Sequence, residues 1–285
     1  MARNPCEHTQ TFSWLDAPAT ARHQKGKYAG DIFNQHEISW CGCCYLVAAV
    51  QCVEDRAQVA YGRPTPRIVI DMQAMLDHFQ EHDEYPGWNA CHGGFPLHVL
   101  SCMAGKQCPI LLQKSVRTGW VGHPQRTTHC RVTLSSPLEL TCVTRLPPSS
   151  VHADIRENGS IVLEISAETL KACDHRGVAT DMTPRESNHA VCVVGWKTID
   201  GVSCWIVRNS WGRTRVPQAV PSDLTCVSRE GNECDVCWEH WTGDPQNPGF
   251  VYLPTSYLPL HSIRPSPWIS VKVTTRKDPN ESMAS

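Results

Sequence analysis

Three residues that lie far apart along the chain have side chains that could together perform nucleophilic catalysis. They are Cys44, His189 and Asn209. A cysteine attacks as its thiolate, which a neighbouring histidine can form by accepting the thiol proton, and a third side chain can orient that histidine. The residue types and their order predict a cysteine nucleophile, its base and the residue that orients the base.

The segment after Cys44 predicts a helix that begins at the nucleophile and ends at Gly62, with Pro64 just beyond. Its apolar residues recur at helical spacing: Leu46, Val50, Val53, Ala57 and Ala60. The first turn of a helix has N–H groups without an intrahelical partner, and these favour a negative charge. We therefore expect Cys44 to occupy a first turn in which its thiolate is stabilised.

The two halves of the chain differ in pattern. Residues up to about 115 favour helices, including Met72–Gln80 and Leu97–Ala104. Beyond that point short β-branched runs predict strands, and the Asp200-Gly201 pair predicts a hairpin between the last two. These strands are Ile161–Ile165, Ala190–Trp196 and Ser203–Arg208. We predict a helical domain over 1–115, a β-rich domain over 116–275 with an insertion at about 213–247, and a flexible tail over 276–285.

Four short motifs occur in order: Cys41-Gly42-Cys43-Cys44-Tyr45, Cys91-His92-Gly93-Gly94, Asn188-His189-Ala190-Val191 and Asn209-Ser210-Trp211-Gly212. They resemble the papain family of cysteine peptidases. About 145 residues separate Cys44 from His189, within the interval of roughly 130–150 found in that family. The resemblance implies an α+β fold in which a helical left domain and an antiparallel, barrel-like right domain enclose the active site in a cleft.

The resemblance also assigns roles to further residues. Gln35 would donate a hydrogen bond to the oxyanion, and Trp211 would shield the bond between His189 and Asn209 from water. Cys41 and Cys91 match a disulfide of the family, with buried thiols as the alternative. The remaining predicted substrate-binding residues are Asn188, the Gly93-Gly94 pair that would approach the peptide backbone, and Phe95 and Pro96 with the strand around Leu163 and Glu164.

A histidine near Gln35 suggests a more specific activity. Gln35 lies further from the nucleophile than is usual in the family. The extra residues between them resemble an insertion of the cathepsin X (cathepsin Z) branch of that family. In that branch, a histidine of the insertion binds the terminal carboxylate of the substrate. His36 occupies the corresponding position in this sequence. Glu37 departs from the pattern, because its carboxylate would repel a terminal carboxylate and raise the basicity of His36. The resemblance implies a carboxypeptidase, with an endopeptidase or a merely structural His36 as alternatives.

Two other classes of function remain open: an inactive papain-fold binding protein, and a thiol-rich redox or metal protein. The presence of Gln35 together with the three catalytic candidates favours an enzyme. Within the predicted insertion, a Cys-x-x-Cys-x-x-His pattern could hold zinc, but it has no convincing second pair of ligands. The pattern consists of Cys234, Cys237 and His240, and Cys226 lies before it. We therefore predict no metal and no cofactor.

Composition limits the partners. The chain has 285 residues, of which 41% are hydrophobic, and a formal charge of −2 without long basic runs. These values predict a real core and a peptide or protein substrate rather than nucleic acid. The longest apolar stretch, Cys43–Val50, is too short to cross a membrane. No apolar signal segment follows Met1, so we expect an intracellular protein of a microbe or virus, or a processed form of a lysosomal or secreted enzyme. The oligomeric state is left open.

Overall fold

The structure is a computed structural model that describes residues 11–37, 40–82, 89–105, 138–213, 244, 247–257 and 266–275. Its helices are α1 (Cys44–Tyr61), α2 (Met72–His82), α3 (Pro96–Ala104), α4 (Val151–Asn158) and α5 (Ala167–Lys171). Its strands are β1 (Phe12–Ser13), β2 (Leu138–Arg145), β3 (Ile161–Ile165), β4 (His189–Ile199), β5 (Val202–Arg208), β6 (Phe250–Pro254) and β7 (Trp268–Thr275).

Helix α1 has the predicted bounds. It begins at Cys44, and its residues Tyr45–Val59 are buried on every side of the helix. Gly62 ends it in a left-handed conformation with φ 72°, and the Gly62 N–H donates to the carbonyl of Val59. A helix buried all round must lie inside the molecule, with other elements packed around it.

The strands form one antiparallel sheet in the order β2-β7-β3-β4-β5-β6, and β1 pairs with β4. The hairpin between β4 and β5 turns at Asp200 and Gly201, which both have positive φ (46° and 82°). Two residues of positive φ suit the twist of a tight hairpin. The three strands predicted from the sequence lie within β3, β4 and β5.

The two faces of this sheet cover different hydrophobic clusters. Along β3 and β4, Leu163 and Val191 belong to one cluster with α4 and α5. Their neighbours Val162 and Cys192 belong to a second cluster with α1, α2 and α3, as alternation along a strand requires. Helices packed on an antiparallel sheet confirm the predicted α+β fold. No helix among the described residues is long and apolar enough to span a bilayer.

The predicted domain boundary near residue 115 and the tail lie outside the described residues. Of the predicted insertion at 213–247, the structure describes only residues 213, 244 and 247. The three candidate zinc ligands and the neighbouring Cys226 therefore also lie outside them.

Candidate active site

The three residues first singled out lie at the ends of three elements. Cys44 is the first residue of α1, His189 is the first residue of β4, and Asn209 directly follows β5. Helix and sheet are joined one helical turn further along, where the Cys192 thiol donates to the carbonyl of Ala48 over 3.0 Å. The Cys52 thiol, one turn further along α1, donates to the carbonyl of Ser160 at 3.2 Å, and the adjacent Ile161 pairs with Val193 of β4. Helix α1 and strand β4 therefore run in the same direction, so their first residues lie at the same end of this contact.

The His189 imidazole is held from two directions. Its Nε2 atom lies 2.8 Å from Asn209 Oδ1, and its ring stacks on Trp211 with centroids 4.5 Å apart. The backbone N–H of Ser210 also meets Asn209 Oδ1, at 2.8 Å. Since a backbone N–H can only donate, that atom is the acceptor oxygen, and His189 must donate through Nε2–H. Neutral His189 therefore has its free lone pair on Nδ1.

Gln35 joins this pair to the segment before the nucleophile. Its Oε1 atom accepts from the Ser210 hydroxyl at 2.5 Å, and its Nε2 donates to the carbonyl of Cys41 at 2.8 Å. Its backbone N–H donates to the carbonyl of Ser210 at 2.8 Å. The structure thus brings Gln35 together with Asn209 and with the turn that leads into Cys44. One hydrogen on Nε2 is left for another acceptor.

A disulfide connects this turn to a second loop. Cys41 and Cys91 are bonded, as the resemblance implied, with an S–S distance of 2.07 Å. The Gly42 N–H donates to the carbonyl of Cys91 at 2.6 Å. The Cys91-His92-Gly93-Gly94 loop therefore lies beside the residues that precede the nucleophile.

The two adjacent thiols differ in their exposure to solvent. The Cys43 side chain is fully buried, whereas Cys44 is partly exposed. Burial, together with the neighbouring Cys44, raises the pKa of Cys43 well above its ordinary value. Since the thiolate is the nucleophile, Cys43 is unsuited to attack.

Burial also keeps His189 neutral in the free protein. It lowers the pKa of this imidazole to about 4, although the bond to Asn209 raises it in part and the Lys171 charge lowers it further. A neutral imidazole with a free Nδ1 lone pair can accept a proton from a neighbouring thiol.

His36 lies close to His189, and burial lowers the pKa of both imidazoles. Burial first, and then the charge of His189, lower the pKa of His36 to about 4. The increase in basicity that Glu37 was expected to cause is therefore wrong, since the pKa of His36 is lowered. Its Nδ1 atom is buried and has no hydrogen-bond partner among the described residues.

The remaining predicted substrate-binding residues differ in accessibility. Gly94 and Phe95 are exposed, and Phe95 as a whole residue is 58% accessible. Gly93 has open space where a side chain would lie. Pro96 is buried at the start of α3, so it shapes the loop and offers little surface. The Asn188 side chain is occupied by the Ala167 N–H, 2.8 Å from its Oδ1.

Sequence reasoning missed the role of Ser210 as the link between Gln35 and Asn209. Nothing in the sequence except its place beside Asn209 could have indicated that contact. Within the described parts of the chain, no three His, Cys, Asp or Glu side chains are grouped so as to hold a metal ion.

Comparison with known proteins gives a consistent set of relatives. Cysteine proteinase 2 of Entamoeba histolytica is 25% identical over 206 residues, which cover 70% of this chain and 61% of that protein. A cysteine protease of Blomia tropicalis is 25% identical over 188 residues, or 60% of this chain and 51% of the relative. Cathepsin Z of Onchocerca volvulus is 22% identical over 196 residues, or 65% and 62%. The chain thus spans less than two thirds of the length of each relative.

The sequence profile of the family described as papain family cysteine protease matches residues 17–219. This match covers most of the chain and includes Gln35, Cys44, His189 and Asn209. The chain therefore belongs to the papain family of cysteine proteases.

Proposed function

We propose that this protein is a cysteine peptidase that hydrolyses peptide bonds in peptides or proteins, with Cys44, His189, Asn209 and Gln35 as its catalytic residues. One observation carries the proposal: an unbroken set of hydrogen bonds runs from His189 through Asn209, Ser210 and Gln35 to Cys41. It supports a single site built from the start of α1 and the ends of two strands.

The tautomer of His189 sets the order of proton transfers. With Nε2–H donated to Asn209, Nδ1 accepts the proton of Cys44, and the resulting thiolate attacks the carbonyl carbon of the scissile bond. The oxyanion then accepts hydrogen bonds from Gln35 Nε2 and from the backbone N–H of Cys44 at the start of α1. The imidazolium gives its proton to the leaving amine. Water activated by His189 finally hydrolyses the acyl-enzyme.

Labelling of the adjacent thiols tests this proposal. An epoxysuccinyl or iodoacetamide probe at mildly acidic pH should modify Cys44 and not Cys43, because the Cys43 thiol is buried and has a raised pKa. Cys44→Ala should abolish the rapid labelling at this pH and peptide hydrolysis, whereas the control Cys43→Ser should retain both. Hydrolysis that persists in Cys44→Ala would refute the assignment. A wild-type protein that neither reacts nor hydrolyses any peptide would favour an inactive binding protein.

We further propose that the enzyme removes residues from the carboxyl end of its substrate through His36. The supporting observation is the place of His36, whose half-buried side chain lies near His189. A protonated imidazole there would hold a terminal carboxylate by a charge-assisted hydrogen bond. This chain is also similar to cathepsin Z of Onchocerca volvulus. That relative bears the name of the branch whose insertion the segment around His36 resembles.

The pKa of His36 gives this second proposal a pH dependence. Because burial lowers that pKa to about 4, the imidazole is mostly neutral at pH 7 and gains a proton as the pH falls. Cleavage of a peptide with a free carboxyl end, relative to its C-terminal amide, should therefore increase from pH 7 to pH 4.5. His36→Ala should remove the preference, and Glu37→Gln should strengthen it by removing a repelling charge. Equal cleavage of acid and amide at every pH would indicate an endopeptidase.

A further inference from the structure

Behind the candidate site, a fully buried ion pair joins helix α1 to strand β5. Arg208 Nη2 lies 2.7 Å from Asp55 Oδ2, and Arg208 Nη1 lies 3.3 Å from Asp55 Oδ1. Both side chains have no accessible surface. The backbone N–H of Gly30 donates to Asp55 Oδ1 at 2.8 Å. The contact is therefore bidentate, and it is fixed further by the chain that leads to Gln35.

The two partners belong to the elements that carry the two halves of the site. Asp55 lies in α1, which begins at Cys44, and Arg208 is the residue directly before Asn209. The Arg208 backbone also pairs with Cys192 of β4, the strand that begins at His189. The guanidinium thus couples the position of the nucleophile helix to that of the base and its orienter.

A contribution to stability does not explain why this ion pair is buried here. Removing two charges from water is costly, and apolar replacement of such a buried pair is often neutral or stabilising. Arg208 Nε is also buried and lacks a hydrogen-bond partner among the described residues. What the pair supplies is a directional constraint between helix and strand, which apolar side chains would not reproduce.

We propose that Asp55 and Arg208 are positioning residues of the active site, which hold Cys44 at reacting distance from His189 and Asn209. This inference rests on the proposed peptidase function. A displacement of about 1 Å between reacting groups can lower a rate by about 10²-fold. The pair acts through the placement of these groups and does not touch the substrate.

A nearby ion pair provides a matched control. Arg56 follows Asp55 in α1, is buried, and pairs with Asp154 of α4. It also donates to the carbonyls of Ser160 and Val271, at 2.6 and 2.8 Å. This pair anchors the same helix to α4, β7 and the residue before β3, away from the segment that contains Asn209. Its replacement tests what general anchoring of α1 contributes.

The experiment compares the apolar double variants Asp55→Leu/Arg208→Met and Arg56→Met/Asp154→Leu with the wild type. For each we would measure Tm, kcat and KM on one peptide, and the rate of Cys44 alkylation by iodoacetamide across pH. The first double variant should stay folded, lose about 10- to 100-fold in kcat with little change in KM, and show slower alkylation at acidic pH. The control should keep kcat within about threefold of the wild type whatever its Tm.

Arg208→Lys keeps the inference testable if the double variant does not fold. It retains the charge but loses the bidentate contact, so its kcat should lie between those of the wild type and the double variant. Wild-type kcat in Arg208→Lys or in the first double variant, or an equal loss in both double variants, would overturn the positioning role while leaving the peptidase intact. A wild type whose Cys44 does not react would instead reject the proposed function and this inference together.

Discussion

At the scale of single residues, the amide of Asn209 fixes the chemistry of His189. Its Oδ1 atom accepts from both the Ser210 N–H and His189 Nε2, so the histidine has one available basic nitrogen. Its Nδ2 atom is buried and has no partner among the described residues. The residue therefore acts through its oxygen, and a side chain that offers only an acceptor would meet the same requirement.

Substitutions at Asn209 should shift the titration of His189 in opposite directions. Asn209→Ala removes the bond that partly raises the histidine pKa from its burial-lowered value of about 4, so the imidazolium becomes rarer. We expect kcat to fall about 10- to 100-fold, less than the 10²–10⁴-fold typical of losing the base itself. Asn209→Asp places a carboxylate on Nε2–H and should raise that pKa.

The pH dependence of Cys44 alkylation measures both effects. At mildly acidic pH, where the thiolate forms by giving its proton to His189, alkylation should be slower than in the wild type in Asn209→Ala and faster in Asn209→Asp. Identical pH profiles in the two variants would mean that Asn209 does not set the ionisation of His189.

At the scale of elements, the sequence predicted the site better than its surroundings. Helix α1 and strands β3 to β5 were found because their hydrophobic periods and their ends at Gly62 and Gly201 are strong local signals. Strands β2 and β7 and helix α4 were missed. The neighbours of β2 along the sheet are residues of β7, more than a hundred positions away, and pairing at that distance leaves no local pattern. The contact between Ser210 and Gln35 escaped prediction for the same reason.

The start of α1 is supported by the loop that contains Gly94. A methyl group added at Gly94 would lie 2.6 Å from the ring of Tyr45, the second residue of the helix. The Tyr45 hydroxyl donates to the carbonyl of Ala90 at 3.0 Å, so the ring cannot move away without losing this bond. Loop and helix start therefore pack as one rigid contact next to Cys44.

We accordingly expect Gly94→Ala to lower both stability and activity. Overpacking at such a contact costs about 1–3 kcal/mol in the free energy of unfolding, and the displaced helix start should lower kcat. Urea unfolding and peptide hydrolysis measure the two effects. Phe95→Ala serves as the stability control, because the Phe95 ring is exposed and its loss should change the free energy of unfolding by less than about 0.5 kcal/mol. Wild-type stability in Gly94→Ala would contradict the tight contact with Tyr45.

At the scale of the whole molecule, charge is concentrated where helix α1 meets the sheet. Glu54 precedes Asp55, is buried, and accepts the Ile70 N–H at 2.7 Å through Oε1. Burial is the main cause that raises the pKa of Glu54 to about 7 from an ordinary value of 4.5, and the Asp55 charge adds to it. The Ile70 N–H, Arg208 and Arg67 act in the opposite direction. The folded protein therefore holds a proton at Glu54 that the unfolded chain releases above about pH 4.5.

This difference gives global stability a defined pH dependence. Because the folded pKa of Glu54 is the higher one, its contribution is complete below about pH 4.5 and is lost as the pH rises through about 7. At about 1.4 kcal/mol per pH unit, the change is on the order of 3 kcal/mol.

Glu54→Gln keeps an oxygen for the Ile70 N–H but does not titrate. Its free energy of unfolding in urea, measured from pH 4.5 to pH 8, should increase relative to that of the wild type as the pH rises. His23, His36 and His189 have pKa values lowered by burial, so their titration makes both proteins more stable as the pH rises towards 6.5 and cancels in this difference. Asp31, Asp174 and Asp181 have lowered pKa values, so their titration affects stability only at lower pH and equally in both proteins. Parallel stability curves for wild type and Glu54→Gln would show that folding does not raise the pKa of Glu54.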